Sequence, residues 1–189
     1  MRYGLGVLFV IFLVIVGAVV LFDGDNSSSS KQLRNTQIVD YENKDRASVS
    51  WTQQGVLVGE DQRRSIRVIV TRNNRMVEVL DGYEQRVEKS QQYTNTPAAF
   101  SAFVRALDDA SFGLERDVSE SDERGMCPTG NIFIYRLTDV GTEIMRTWSG
   151  NCSRAGGSFG GSTKNASLIA RLFKAQITGY SDFVSGVKL

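Results

Sequence analysis

Apolar and polar side chains alternate along the middle of the chain, a pattern typical of strands that bury one face. Residues 48–53 predict such a strand, and residues 55–59 predict a second, short one. Two aliphatic stretches, 65–72 and 75–80, then flank Asn73-Asn74. Because Asn tolerates the positive φ that a two-residue primed turn requires, these stretches predict a β-hairpin.

This first hairpin is expected to pair Val70 with Val77 and to bury one aliphatic face. Asp81-Gly82 predicts a further tight turn, which leads into a strand over residues 83–93. A two-residue turn at that point would place charged side chains on the aliphatic face. We therefore expect either a bulge at Gly82 or an edge position for this strand.

Helical spacing of apolar residues predicts three helices after these strands. Thr96-Pro97 predicts the start of the first, with Thr as N-cap and Pro in the first helical position, and Gly113 predicts its end. The second helix is expected to begin near Ser162 or Thr163. The apolar stripes are Phe100, Phe103, Val104 and Leu107 in the first helix, Ile169, Leu172 and Phe173 in the second, and Tyr180, Phe183, Val184 and Val187 in a short third helix.

A second hairpin is predicted from residues 131–137 and 142–149, with Leu137 facing Thr142. This register brings apolar residues opposite apolar residues, an arrangement that stabilises neighbouring strands. It also places two oppositely charged side chains, one on each strand, in facing positions.

The charged pair in this register is Arg136 opposite Glu143, and extending the register outward places Cys127 opposite Cys152. These are the chain's only cysteines. We therefore predict a disulfide between them, closing the open end of the hairpin.

The predicted order of elements is β-β-β-β-α-β-β-α-α, with an acidic loop at 114–125 and a flexible connector at 153–161. Runs of strands followed by helices are typical of an α+β fold. We predict an antiparallel or mixed sheet of about five to six strands, with two to three helices packed on it.

An uncharged apolar stretch, residues 3–22, precedes this domain and is long enough to cross a bilayer. A cleavable signal peptide would have a shorter apolar region and a small-x-small cleavage site. We therefore predict a single-pass transmembrane signal anchor at 1–22, a polar Ser-rich linker at 23–45, and the α+β domain at 46–189. Ile38, Val39 and Tyr41 offer the linker's outer half a means of docking on the domain.

The Lys and Arg residues near the two ends of the apolar stretch do not decide its orientation. The predicted disulfide does, because structural disulfides persist in oxidising compartments. The expected location is the cell membrane, with the C-terminal domain extracytoplasmic, in the cell envelope.

The chain contains no His and has a net charge of +1. Without His, the common His-dependent hydrolase and zinc sites are excluded, so we predict no catalytic residue, no metal site and no cofactor. The segment 156–164 superficially resembles a phosphate-binding loop, but its Lys follows the hydroxyl residues instead of preceding them. An ordinary loop is expected there, and an anion held at the following helix N-terminus is the weaker alternative.

Basic residues are concentrated on the first hairpin and its approach, and they are the candidate binding residues for an anionic polymer or an unknown protein. Alternatively they form a solvated face that protects the sheet edge from aggregation. An acidic run from Asp117 to Glu123 is expected to be a solvated loop instead of a Ca²⁺ site. The candidate binding residues are Arg63, Arg64, Arg67, Arg72 and Arg75.

These features predict a non-catalytic, membrane-anchored interaction module of the cell envelope, with nucleic acid not expected as a partner. The first alternative is a structural or assembly subunit of a membrane-associated machine. A hydrolase that uses carboxylate or Ser–Lys chemistry is the second alternative. Neither the ligand nor the oligomeric state follows from the sequence.

Overall fold

The computed structural model describes residues 33–118, 122–152 and 156–189. The predicted transmembrane segment and the Ser-rich part of the predicted linker lie outside the described residues. Within those three ranges, no helix is long and apolar enough to cross a membrane. The fold is α+β, with a six-stranded antiparallel sheet and a few helices.

The described strands form a six-stranded sheet and a separate two-stranded sheet. In the larger sheet the spatial order is the fifth, fourth, third, second, seventh and eighth strand, and each neighbouring pair is antiparallel. The strands are β1 (Leu33–Asn35), β2 (Ser48–Gln54), β3 (Arg64–Thr71), β4 (Asn74–Asp81), β5 (Arg86–Thr94), β6 (Leu114–Arg116), β7 (Ile132–Asp139) and β8 (Thr142–Gly150). β1 pairs with β6 in the small sheet.

Three α-helices, α1 (Pro97–Asp109), α2 (Thr163–Ala175) and α3 (Tyr180–Phe183), share one apolar core with the sheet. We call the sheet face in this core the inner face; Trp51 and Tyr135 lie on it and are fully buried. The rings of Phe103 from α1 and Phe173 from α2 pack at nearly right angles, with their centroids 5.1 Å apart. The helices therefore cover one face of the sheet, as an α+β layer fold requires.

Both long helices begin at the residues that the sequence predicts. Thr96 caps α1 by accepting from the backbone N–H of Ala99 at 3.2 Å. Ser162 caps α2 in a reciprocal box with Asn165. These caps satisfy N–H groups that have no partner within the first turn.

The first hairpin forms, but its predicted register is wrong by two residues. Val77 pairs with Val68, and Val70 pairs with Arg75. The turn residues are Arg72 and Asn73, and neither has a positive φ. Because a shift of two residues preserves the face of every side chain, the aliphatic residues still reach the core.

Strand β5 lies at the edge of the sheet. This confirms one of the two arrangements that were expected to keep the charged side chains of this strand off the aliphatic face. A bulge is also present, between Val79 and Leu80 opposite β5, and not at Gly82. The connecting loop spans residues 82–85 and takes positive φ at Gly82 and Gln85. The wider loop lets the charged side chains of β5 remain exposed.

Three local predictions are corrected. Residues 55–59 are not a strand, and the predicted acidic loop begins with strand β6. The expected docking of the linker's outer half does occur, because a 3-10 turn at Ile38–Tyr41 places Ile38 fully buried in the core. The expected connector at 153–161 carries Phe159 into the core, where only 3% of its surface is exposed.

The disulfide between Cys127 and Cys152 is present, with the two Cα atoms 5.6 Å apart. The register that predicted it is wrong, because Leu137 pairs with Met145 and not with Thr142. The turn is Val140-Gly141, and both residues have positive φ, as a primed two-residue turn requires.

The cysteines instead meet through the turn that precedes β7. Gly130 donates its backbone N–H to the carbonyl of Cys127 at 3.2 Å, and Cys127 itself has a positive φ of 76°. This turn folds Cys127 over a small second cluster on the outer face of the sheet. The cluster consists of Cys127, Ile132, Ile134 and Trp148, with Met126 and Cys152 beside it.

Candidate functional site

The five candidate arginines of the first hairpin do not form one free basic surface, because each guanidinium contacts an acceptor within the fold. The contacts are Arg64 with Asp81 and Glu88, Arg67 with Glu78, Arg72 with the carbonyl of Asn43 and with Asp45, and Arg75 with the carbonyl of Thr94. A role of these residues in partner binding stays a prediction.

Arg63 is the most constrained of the five and is only 7% exposed. Its guanidinium donates to the carbonyls of Gly55 and Val56 at 2.7 and 2.8 Å and to Oε1 of Gln54 at 3.1 Å. It also lies over the ring of Tyr83, 5.0 Å from the centroid. Burial lowers the pKa of this guanidinium. Arg63 thus holds the irregular segment after β2 against the sheet.

Asp122 and Glu123 of the acidic run, and Lys89 of β5, also have partners within the fold. Glu123 is buried and pairs with Arg146, and Asp122 pairs with Arg124. Lys89 donates to the carbonyl of Phe183 at 2.9 Å. Among the described residues no group of three or more acidic or Cys side chains is placed to hold a metal ion.

Two cavities of similar size flank the inner face. The first, of about 800 Å³, is walled by the C-terminal residues 185–189. Its lining contains both signs of charge, and Arg64 and Lys89 in it already have partners. These two cationic side chains are therefore already engaged with other residues of the fold.

The second cavity, of about 780 Å³, is a groove between α2 and the inner face, and we call it the α2 groove. Small residues on the helix create it. Ala166 and Ala170, four positions apart, lie on one side of α2 and line the groove. The sheet contributes the rings of Trp51 and Phe133 to the lining. These two rings are stacked, with their centroids 6.1 Å apart and an angle of 12° between their planes.

The Gly-rich segment after β8 forms one end of the groove, and its glycines permit close backbone approach. A Cβ atom on Gly157 would lie 2.7 Å from the carbonyl carbon of Trp148. Phe159 donates its backbone N–H to the carbonyl of Trp148 at 2.9 Å. Its ring packs against that of Tyr135, with the two ring centroids 4.7 Å apart. The segment therefore runs along the edge of β8 and delivers the chain to the start of α2.

The charges of the groove are all of one sign. Arg116 at the end of β6, and Arg171 and Lys174 on α2, line it, and no acidic residue does so among the described residues. None of the three cations has an ion-pair partner within the described ranges. This contrasts with the basic hairpin, where Arg64, Arg67 and Arg72 pair with carboxylates.

A donor without a partner lies at the sheet side of the groove. Trp51 is fully buried and lines the groove, and its indole N–H has no hydrogen-bond partner among the described residues; the same holds for the buried indole N–H of Trp148 in the outer-face cluster, so this property is not specific to the groove. Buried donors in folded proteins are nearly always paired. Burial raises the pKa of the nearby Tyr180 to about 12, so its phenol stays neutral and supplies no negative charge to Lys174.

The sequence indicated parts of this site without assembling them. The sequence predicts the Gly-rich segment and the helix start at Ser162, with an anion at that helix start as the weaker alternative. The signal that could have identified the groove is the pair Ala166 and Ala170, because small residues at helical spacing leave space against a neighbouring sheet. The three cations are distant in sequence, so only the fold brings Arg116 to α2.

Neither a scan against protein-family models nor a search of curated proteins finds a match to this chain.

Proposed function

We propose that this chain is a non-catalytic binding module of the cell envelope, anchored in the membrane by residues 3–22 with its α+β domain extracytoplasmic. The α2 groove is its ligand site. The observation that carries this proposal is a groove of about 780 Å³ whose lining combines aromatic and alanine side chains with polar ones and with three cations that lack ionic partners among the described residues. Concave sites of this size that combine apolar walls with polar groups are typical of ligand sites.

The disulfide supports the proposed location. Cys127 and Cys152 are bonded to each other, and structural disulfides are rare in reducing compartments. The apolar stretch supports membrane attachment through its length and lack of charge.

The binding site is tested by filling it. Ala170→Trp places a large ring in the groove, whereas Lys164→Trp places the same ring on an exposed position of the same helix outside the groove. The full chain in neutral maltoside detergent is incubated with the small-molecule fraction of an envelope extract, and bound ligands are detected by native mass spectrometry. We expect the native chain and Lys164→Trp to retain a ligand that Ala170→Trp loses.

Equal retention by all three chains would place binding elsewhere and overturn the proposed site. Trp148 serves as a folding control, because it lies in the outer-face cluster away from the groove. Its indole NMR signal should be the same in all three chains. If Ala170→Trp disturbs that signal, Ala166→Trp provides a second filling variant at the same wall.

A further inference from the structure

We infer that the α2 groove takes an organic anion, a molecule with one carboxylate or phosphate group on an apolar body. This inference rests on the proposed function and specifies its ligand. It requires that the groove supply two kinds of contact at once, and the lining supplies both.

The anionic group is indicated by the charges. Arg116, Arg171 and Lys174 line one groove, and no described carboxylate lies among them to neutralise them. Like charges that share a lining repel one another, and an anion that binds among them removes this repulsion and accepts charge-assisted hydrogen bonds. Thr163, at the start of α2, lines the same groove and adds a hydroxyl group, whereas the hydroxyl of Ser162 is occupied by the capping box with Asn165.

The apolar body is indicated by the walls. Phe133, Ala166 and Ala170 line the groove and are each partly exposed, so they present an apolar surface without a charged partner. A bare inorganic anion would leave this surface uncovered. A ligand with an apolar body would cover it and gain the free energy of apolar burial.

Trp51 lines the groove and is fully buried, and its Nε1 atom donates to no described atom. The buried indole N–H of Trp148, on the opposite face of the sheet, is likewise without a described partner, so neither donor identifies a ligand. Trp51 serves instead as a reporter of the groove, because it is part of the lining.

The experiment uses hexanoate, hexyl phosphate, 1-hexanol and inorganic phosphate as probes of the full chain in neutral maltoside detergent. The chain has two tryptophans, so its indole N–H region holds two NMR signals, which Trp51→Phe assigns. The Trp51 signal reports the groove, and the Trp148 signal reports the opposite side of the sheet. Each probe is titrated while both signals are followed.

We expect hexanoate or hexyl phosphate to shift the Trp51 signal with an affinity at least about tenfold higher than that of 1-hexanol or of inorganic phosphate. The two anionic probes distinguish a carboxylate ligand from a phosphate ligand. Changing Arg171 and Lys174 together to Gln should weaken the better probe by about tenfold or more, whereas Lys164→Gln should leave it unchanged.

Two results would overturn the inference. If 1-hexanol moves the Trp51 signal as strongly as the anionic probes do, and the double Gln variant binds like the native chain, the ligand is not an anion. The proposed function would still stand if Ala170→Trp loses the ligand captured from the extract. If no probe moves the Trp51 signal, the organic-anion class is wrong, and the capture experiment alone decides whether the groove binds anything.

Discussion

The Nζ atom of Lys174 lies over the face of Trp51, 5.4 Å from the ring centroid. The same ammonium group lies 5.5 Å from the centroid of Tyr180. Lys174 therefore bridges the inner face of the sheet and the last helix while its charge remains in the α2 groove. One side chain contributes both to packing and to the electrostatic character of the groove.

Replacing Lys174 with Met removes the charge but keeps an unbranched apolar side chain over the two rings. We expect the free energy of unfolding to fall by about 0.5–1 kcal/mol, because partly exposed cation–π contacts are worth about that much. Urea denaturation of the full chain in detergent measures the change. Lys164→Met, on an exposed position of the same helix, should change stability by less than about 0.5 kcal/mol. A larger loss for Lys164→Met than for Lys174→Met would contradict this account.

Replacing Arg63 with Lys should be costly although the charge is kept. The guanidinium donates to three acceptors at once, at Gly55, Val56 and Gln54, and an ammonium cannot match that planar geometry. We expect a loss of about 2–4 kcal/mol, since hydrogen bonds to charged groups contribute about 1.5–3 kcal/mol each and buried acceptors lose partners. Denaturant unfolding measures it.

The matched control for Arg63 is Arg75→Lys. The guanidinium of Arg75 is more exposed and contacts the single carbonyl of Thr94. Its change to Lys should cost less than about 1 kcal/mol. Similar losses for the two variants would show that the buried hydrogen bonds of Arg63 do not carry the effect.

The elements whose signals are local could be predicted from the sequence. Thr96-Pro97 specifies the start of α1, since a capping hydroxyl and a fixed φ act within one turn. The alternation around Val49 and Trp51 likewise specifies β2. Strand registers could not be predicted, because a shift of two residues in the first hairpin keeps every side chain on its face. The alternation of apolar and polar residues therefore does not distinguish the two registers.

The α2 groove could not be predicted because it is formed by residues that the fold alone brings together. Arg116 and Lys174 are 58 positions apart in sequence, and both line it. The basic hairpin shows the converse case. Its charges are close in sequence, but some of their acceptors, such as Asn43 for Arg72, lie on distant segments and cannot be read from a local pattern.

Reducing the Cys127–Cys152 disulfide should lower the free energy of unfolding by about 3–4 kcal/mol in the chain-entropy model, given the 25-residue separation. The effect should be local first. Amide hydrogen exchange is expected to accelerate around Gly130, whose N–H donates to Cys127, before it changes in the central strand β3. Hydrogen exchange measured with and without a reductant tests this, and uniform acceleration throughout the sheet would contradict it.

Hydrogen bonds from the Arg105 guanidinium and the Ser101 hydroxyl lower the pKa of Glu42 from an ordinary 4.5 to about 2. Because the folded pKa is the lower one, the ionised form stabilises the folded state. This contribution is complete above the ordinary pKa and is lost as the pH falls through about 2.

The stability difference between the native chain and Glu42→Gln should therefore be constant near neutral pH, shrink below pH 4.5 and vanish near pH 2. Unfolding midpoints measured for both chains across this range test the prediction. Arg105→Gln should remove most of the same pH dependence, since its guanidinium is the main cause of the shift. A difference that persists at the acid limit would mean that Glu42 contributes through packing instead of charge.

Gly157 lets the Gly-rich segment lie against the edge strand β8. A Cβ atom at this position would lie 2.7 Å from the carbonyl carbon of Trp148 and 2.8 Å from the Cα of Ser149. Both neighbours are backbone atoms and cannot rotate away. Gly157→Ala should therefore push the segment off β8 and weaken two hydrogen bonds, from Phe159 N–H to the Trp148 carbonyl and from Trp148 N–H to the Ser158 hydroxyl.

We expect Gly157→Ala to destabilise the fold by about 1–3 kcal/mol, the usual cost of overpacking a tight contact. Gly156→Ala is the matched control, because no atom of the described residues lies within 4 Å of the corresponding Cβ position. It should be neutral or slightly stabilising, since Ala restricts the unfolded chain more than Gly does. Since Phe159 and Ser162 follow at the end of the α2 groove, Gly157→Ala should also shift the Trp51 indole signal, while Gly156→Ala should leave it in place. Equal behaviour of the two variants would show that the segment does not depend on this close approach.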